Sequence, residues 1–221
     1  MPMRKLSANS ALIVVDVQND FCPGGALAVE AAHEVVPLIN RMAPLFHVLV
    51  CTQDWHPPEH ESFADSHPGA EPFSVTEMPY GPQVLWPAHC VQGTRGAEFH
   101  PDLLTEHADI VIRKGTHPHI DSYSTFYEND RTTPTGLAGY LRERGVTHVW
   151  LAGLATDFCV HYSALDAVAH GFTATVLLDA CRAIDLDGSL DAAFAEMREA
   201  GIRTGSTSTA SSRSTPASTA G

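Results

Sequence analysis

A three-layer α/β/α sandwich around a mostly parallel sheet of about six strands is the expectation for this chain, and three features carry it. Short continuous apolar runs at 11–15, 46–51, 110–113, 149–151 and 173–178 read as strands buried on both faces. Segments with apolar residues at helical spacing separate several of them, and strands that alternate with helices build parallel sheets. At 221 residues, with 44% hydrophobic residues, the chain suits one substantial core better than two.

The first run ends at Asp16, followed by Val17, Gln18, Asn19, Asp20 and Phe21. A carboxylate at the carboxyl end of a central strand lies where open parallel sheets build their sites. Cys22, Pro23, Gly24 and Gly25 make a turn, and Val35, Val36 and Ile39 give 30–42 a helical period. After the strand at 46–51, residues 52–93 are long, irregular and rich in His and Pro. A loop of that length in a compact domain is functional or disordered. Its aromatics, Trp55, Phe63, Phe73, Tyr80 and Trp86, speak against disorder.

The third strand, 110–113, runs into Lys114 and Gly115. A loop carrying Tyr123, Ser124 and Phe126 leads to a helix at 136–144, closed by Gly145. The strand at 149–151 then turns through small residues into Thr156 and Asp157, which are helix-start residues. Val160, Ala164, Leu165 and Val168 follow at helical spacing, so Cys159 is expected in a first helical turn. Unpaired amides and the helix dipole favour an anion there, and a cysteine offers a thiolate. The same residue also suits a buried gap-filler. The strand at 173–178 ends at Asp179, 189–200 forms a last helix, and 202–204 a sixth strand. The domain is expected to span 1–204. Residues 205–221 are Ser/Thr/Ala-rich with no apolar side chain larger than alanine, and read as a disordered tail.

Charge and cysteine usage narrow the partners. Twenty-six acidic against 13 basic residues give a formal charge of −13, which argues against nucleic acid or an anionic membrane. No apolar run approaches the ~20 residues of a membrane span, and the N-terminus lacks a signal-type apolar segment, so a cytoplasmic location is expected. Five dispersed cysteines without a C-x-x-C pair read as reduced thiols. The oligomeric state is left open, a homo-oligomer included.

Asp16, Lys114 and Cys159 each stand at the carboxyl end of a strand, and those ends share one edge of a parallel sheet. Alone, Asp16 could cap a turn and Lys114 could be a solvated charge. Together they supply a carboxylate to take a proton, an ammonium to favour anions and a thiol to attack. A second set, Asp54 and His56 with the distant His89, has the N/O donors suited to zinc and similar divalent ions. His60, Glu61, Ser62 and His67 compete for a further ligand position, and spacing does not choose among them.

These pieces are ALIVVDVQNDFCPGGAL, TQDWHP with HESF, WPAHCVQGTRGAEFHP, RKG, DSYSTF and GLATDFCV, in that order over about residues 10–205. In combination they resemble the nicotinamidase branch of the isochorismatase-like cysteine hydrolases. The resemblance implies the isochorismatase-like hydrolase fold and a metal-dependent amidase that converts nicotinamide to nicotinate and ammonia in NAD salvage, with pyrazinamide also a substrate. It implies a triad of Asp16, Lys114 and Cys159, and an oxyanion hole from the amides of Ala155 and Cys159. A cis peptide at Leu154–Ala155 is implied as well. One divalent ion, zinc first and iron or manganese as alternatives, would be held by Asp54, His56 and His89, with Ser62 at the fourth position. Phe21, Trp86 and Tyr123 would line the nicotinamide pocket. Two other readings are a related amidohydrolase for a carbamoyl or ureido compound, and a catalytically silent metal-binding scaffold.

Overall fold

The computed structural model describes residues 5–213. Eight strands and five α-helices form in order: β1 Ser10–Val15, α1 Val35–Met42, β2 Val48–Asp54, β3 Val75–Met78, β4 Gly81–Val84, β5 Ile110–Lys114, α2 Leu137–Glu143 and β6 His148–Leu154. A π-helical turn Thr156–Val160 leads into α3 His161–Ala169, and β7 Thr173–Arg182, α4 Ser189–Glu199, β8 Arg203–Gly205 and α5 Thr207–Arg213 complete the chain. Six strands make one all-parallel sheet in the order β5-β2-β1-β6-β7-β8.

The residues of β1 show why the strands read as unbroken apolar runs. Leu12 and Val14 join the core under α1 and α5, while Ala11, Ile13 and Val15 join the core under α2, α3 and α4. A parallel strand covered on both faces has no polar side to alternate with. The three expected layers are therefore present.

Topology places the site. From β1 the chain steps outward to β2 and β5, then returns through β6 on the other side of β1. The crevice at the carboxyl ends of β1 and β6 is a topological switch point, where open α/β sheets bind ligands. Asp16 follows β1 directly, and the turn holding Cys159 follows β6. The two strands run close at this point. Gly153, with φ +125°, pairs with Val15, and a Cβ there would lie 2.1 Å from the Val15 carbonyl oxygen, so only glycine fits.

Three expectations need correction. Strand β2 continues beyond Cys51 to Asp54, because Thr52, Gln53 and Asp54 keep pairing with β5 through the register Asp54↔Lys114. The segment 52–93 is not irregular throughout, since β3 and β4 form an antiparallel hairpin within it. The proposed tail is also ordered in part: Gly205 closes β8, and Thr207–Arg213 forms α5 against the sheet. Residues 214–221 lie outside the described residues.

Helix α5 is anchored by a partner far away in sequence. The Thr207 amide donates to both Asp179 oxygens at 2.9 and 3.1 Å, and its hydroxyl donates to Oδ2 at 2.6 Å. Ala210 is fully buried in the α1-side core. Its small side chain lets the helix lie close to the sheet. Asp179→Ala is expected to lower stability by about 0.5–2 kcal/mol, the usual cost of a lost N-terminal cap, as read by urea unfolding.

Candidate active site

Three strand ends deliver the charged groups. Lys114, the last residue of β5, sits opposite Asp54 on β2, and its side chain runs beneath the strand ends toward β1. Its Nζ lies 2.9 Å from Asp16 Oδ2, contacts Asp54 Oδ1, donates to the Ser122 carbonyl at 2.7 Å and lies 3.5 Å from Cys159 Sγ. The lysine is fully buried. Burial works against its charge, but Asp16 and Asp54 outweigh that effect and raise its pKa well above the ordinary lysine value. It is an ammonium wedged between two carboxylates.

Asp16 has φ 48°, which turns the chain sharply at the end of β1. Its Oδ1 accepts a hydrogen bond from the Thr52 hydroxyl at 2.6 Å. Burial pushes its pKa up, with Lys114 opposing and Asp54 adding to the rise, so it is a stronger base than an ordinary carboxylate. Cys159 Sγ lies within 4.8 Å of the Asp16 and Asp54 carboxylates. Burial raises the thiol pKa well above its usual value against the pull of Lys114, and both aspartates add to the rise. The resting cysteine is therefore a thiol, and the helix-start position does not by itself make it a thiolate. A base in contact is required, and Asp16 is placed to be one.

Cys159 occupies a π-helical turn in place of the expected α-helical one. Asp157 does not cap its own helix either; its carboxylate reaches the loop after β7. The Leu154–Ala155 peptide is cis, and Ala155 and Cys159 both line the pocket.

The second set surrounds the other oxygen of Asp54. His56 Nε2 and His89 Nε2 lie 3.8 and 3.9 Å from Asp54 Oδ2. Each imidazole is oriented by a backbone carbonyl: His56 Nδ1 donates to Gly115 O at 2.9 Å, and His89 Nδ1 donates to Pro87 O at 2.8 Å. Such outer contacts fix the tautomer that leaves Nε2 as a metal ligand. His56 Nε2 is buried without a hydrogen-bond partner. Burial, then His56, lower the His89 pKa to about 4, which keeps that ring neutral. At His56 burial works against the charged form, but the Asp54 carboxylate outweighs it and raises the pKa. Two nitrogens and a carboxylate oxygen converging on an orphaned atom fit a divalent ion. Gly115 closes the back of the set, because a Cβ there would lie 2.3 Å from His56 Cε1.

Ser62 is fully buried, and its hydroxyl engages His60 Nδ1 at 2.7 Å. The His60 ring lies 4.4 Å from that of His56, and its Nε2 also meets the Ile120 carbonyl. His60 with His56 and Asp121 forms an overlapping donor group, so the fourth ligand is not singled out by distance. His67 is turned aside to the Glu61 carbonyl.

Both sets open on one cavity of about 330 Å3, lined by Phe21, Trp86, Tyr123, His89, Ala155 and Cys159 among others. Phe21, Trp86 and Tyr123 are thus brought together on one cavity wall. Phe158 adds an edge-on ring 5.0 Å from Trp86, and the Tyr123 hydroxyl accepts from Trp86 Nε1 and Gln83 Nε2 at 3.1 and 3.0 Å. A larger, open groove of about 1210 Å3 lies between Cys22, Glu34 and His100 and includes none of the charged groups above.

Sequence reasoning missed several supports. Gln18 clamps the Asp54 backbone, accepting from its amide and donating to its carbonyl, both at 2.8 Å. Thr52, Gln83 and Asp157 act through contacts between distant segments that no local spacing signals, and Ser122 offers Lys114 a backbone carbonyl, which has no side-chain signature.

Residues 10–209 match the family model of the isochorismatase domain. The nicotinamidase of Acinetobacter baylyi is 55% identical over 199 residues, covering 90% of this chain and 93% of that protein. The solved nicotinamidase/pyrazinamidase of Acinetobacter baumanii superposes with a TM-score of 0.92 at 56% identity, covering 93% of this chain and 99% of that one. A pyrazinamidase of Pyrococcus horikoshii, solved in complex with zinc, gives 0.71 at 38% identity, covering 90% and 99%.

Proposed function

The chain belongs to the isochorismatase family, and from that premise we propose that it hydrolyses nicotinamide, and pyrazinamide likewise, to the free acid and ammonia through a thioester on Cys159. One observation carries the reading: Cys159 and the His89 side of the metal-type set face each other across a single small aromatic-walled cavity.

Asp16 takes the thiol proton as Sγ attacks the carboxamide carbon. Lys114 balances the negative charge that moves between the carboxylate and the sulfur. The amides of Ala155 and Cys159 receive the oxyanion, a kind of contact worth about 3–4 kcal/mol when one donor is lost. The tetrahedral adduct collapses, the C–N bond breaks, and Asp16 returns the proton to the departing nitrogen, which leaves as ammonia. Asp16 next takes a proton from water, whose oxygen attacks the thioester. The C–S bond breaks, the acid leaves and Cys159 regains its proton. A divalent cation on Asp54, His56 and His89, zinc first and iron or manganese as alternatives, would supply a Lewis acid for the ring nitrogen. Phe21, Trp86 and Tyr123 hold the ring so that its amide meets the sulfur, and Ser62 backs the metal ligands.

Ammonia release from nicotinamide, pyrazinamide and a panel of carbamoyl and ureido compounds, before and after chelation, tests this. Nicotinamide and pyrazinamide should be hydrolysed, with at least tenfold loss on chelation and recovery with added zinc, as expected of a metal that positions substrate. Ammonia from the carbamoyl compounds alone would replace the substrate assignment.

A further inference from the structure

The carboxylate of Asp157 is buried, stands two residues before Cys159 and has no part in the chemistry above. It accepts three hydrogen bonds, from the Ile184 amide at 3.0 Å, the Asp185 amide at 2.7 Å and the Ser189 hydroxyl at 2.5 Å. Two of the donors, Ile184 and Asp185, lie in the connection between β7 and α4, and the third, Ser189, is the first residue of α4. That connection needs holding: Asp185, Asp187 and Gly188 have φ of 55°, 50° and 84°, a run of left-handed backbone that two non-glycine residues resist. Ile184, the first residue bonded, lines the cavity together with Ala155, Phe158 and Cys159.

We propose that Asp157 is a positioning residue that sets the Ile184 wall of the pocket relative to the sulfur of Cys159, and so limits the size of the ring the site accepts. The anchor and the nucleophile share one short turn, so the wall and the reacting atom are placed by the same piece of backbone. A charged acceptor suits the task, because hydrogen bonds to an ionised group are stronger than neutral ones.

This inference rests on the amide-hydrolase reading, and the test separates the two. Steady-state kinetics are measured on the full chain with nicotinamide and a set of methyl-substituted nicotinamides. Asp157→Asn and Ile184→Ala should each raise KM for nicotinamide about tenfold while kcat falls less than about threefold, and each should relax discrimination against a methyl-substituted ring by about tenfold, the scale of one methyl group in a pocket. The double variant should be no worse in KM than the poorer single variant, because both changes act through one wall. Ser189→Ala leaves the nucleophile turn intact, removes one of the three bonds and should raise KM about two- to threefold. Additive effects, a fall in kcat alone, or unchanged KM and selectivity would overturn the proposal. Unchanged KM in Ser189→Ala overturns it too if Asp157→Asn does not fold. A wild-type protein that releases no ammonia from nicotinamide would instead overturn the functional reading.

Discussion

Cys159→Ala is expected to lower kcat for nicotinamide by about four to six orders of magnitude, the scale seen when a nucleophile acting in a triad is removed. The fold should be retained. Cys159 is only 7% exposed, but its sulfur faces the cavity, so the substitution leaves no sealed void and costs about 1 kcal/mol or less. Bound metal should also be retained, because Asp54, His56 and His89 keep their partners at Lys114, Gly115 and Pro87. Kinetics, thermal melting and elemental analysis of one preparation check all three. Residual activity above about a tenth would place the nucleophile elsewhere, since no parallel route in this site could supply it.

Lys114→Met is expected to remove activity and also to destabilise the metal-free protein by about 3–5 kcal/mol, the usual cost of breaking a buried charge pair from one side. The lysine is fully buried and is the cation shared by Asp16 and Asp54, so its loss leaves two neighbouring carboxylates uncompensated. Asp16, already raised by burial, would lose the charge that opposes that rise and be driven toward its protonated form, which cannot accept the thiol proton. Urea unfolding of metal-free protein isolates this effect, because a cation on Asp54 would offset part of it. A stability within about 1 kcal/mol of wild type would mean that the carboxylates are solvated.

What the sequence made legible follows from what is local. Strand β1 could be read because its alternate residues fill two cores, and Asp16, Lys114 and Cys159 could be read because each lies at or just beyond the carboxyl end of a strand of one parallel sheet. Asp54 and His56 were legible as a pair, whereas the division of Asp54 between Lys114 and the two histidines depends on the β2/β5 register, which no local pattern encodes. Helix α5 was missed because composition argued against it and its anchor, Asp179, is 28 residues away. The β3/β4 hairpin was missed because its strands carry little buried apolar surface; Val75 is 64% exposed. The role of Asp157 was hidden by its neighbourhood, since an aspartate at a helix start reads as a cap until its three partners beyond β7 are seen.

The covalent step is tested most directly by quenching the wild-type protein in acid during turnover of nicotinamide and measuring the intact mass. A single nicotinoyl adduct, mapping to the peptide that contains Cys159 and absent from Cys159→Ala, is the expected result. An adduct on another residue, or full turnover by the alanine variant, would contradict a thioester at Cys159.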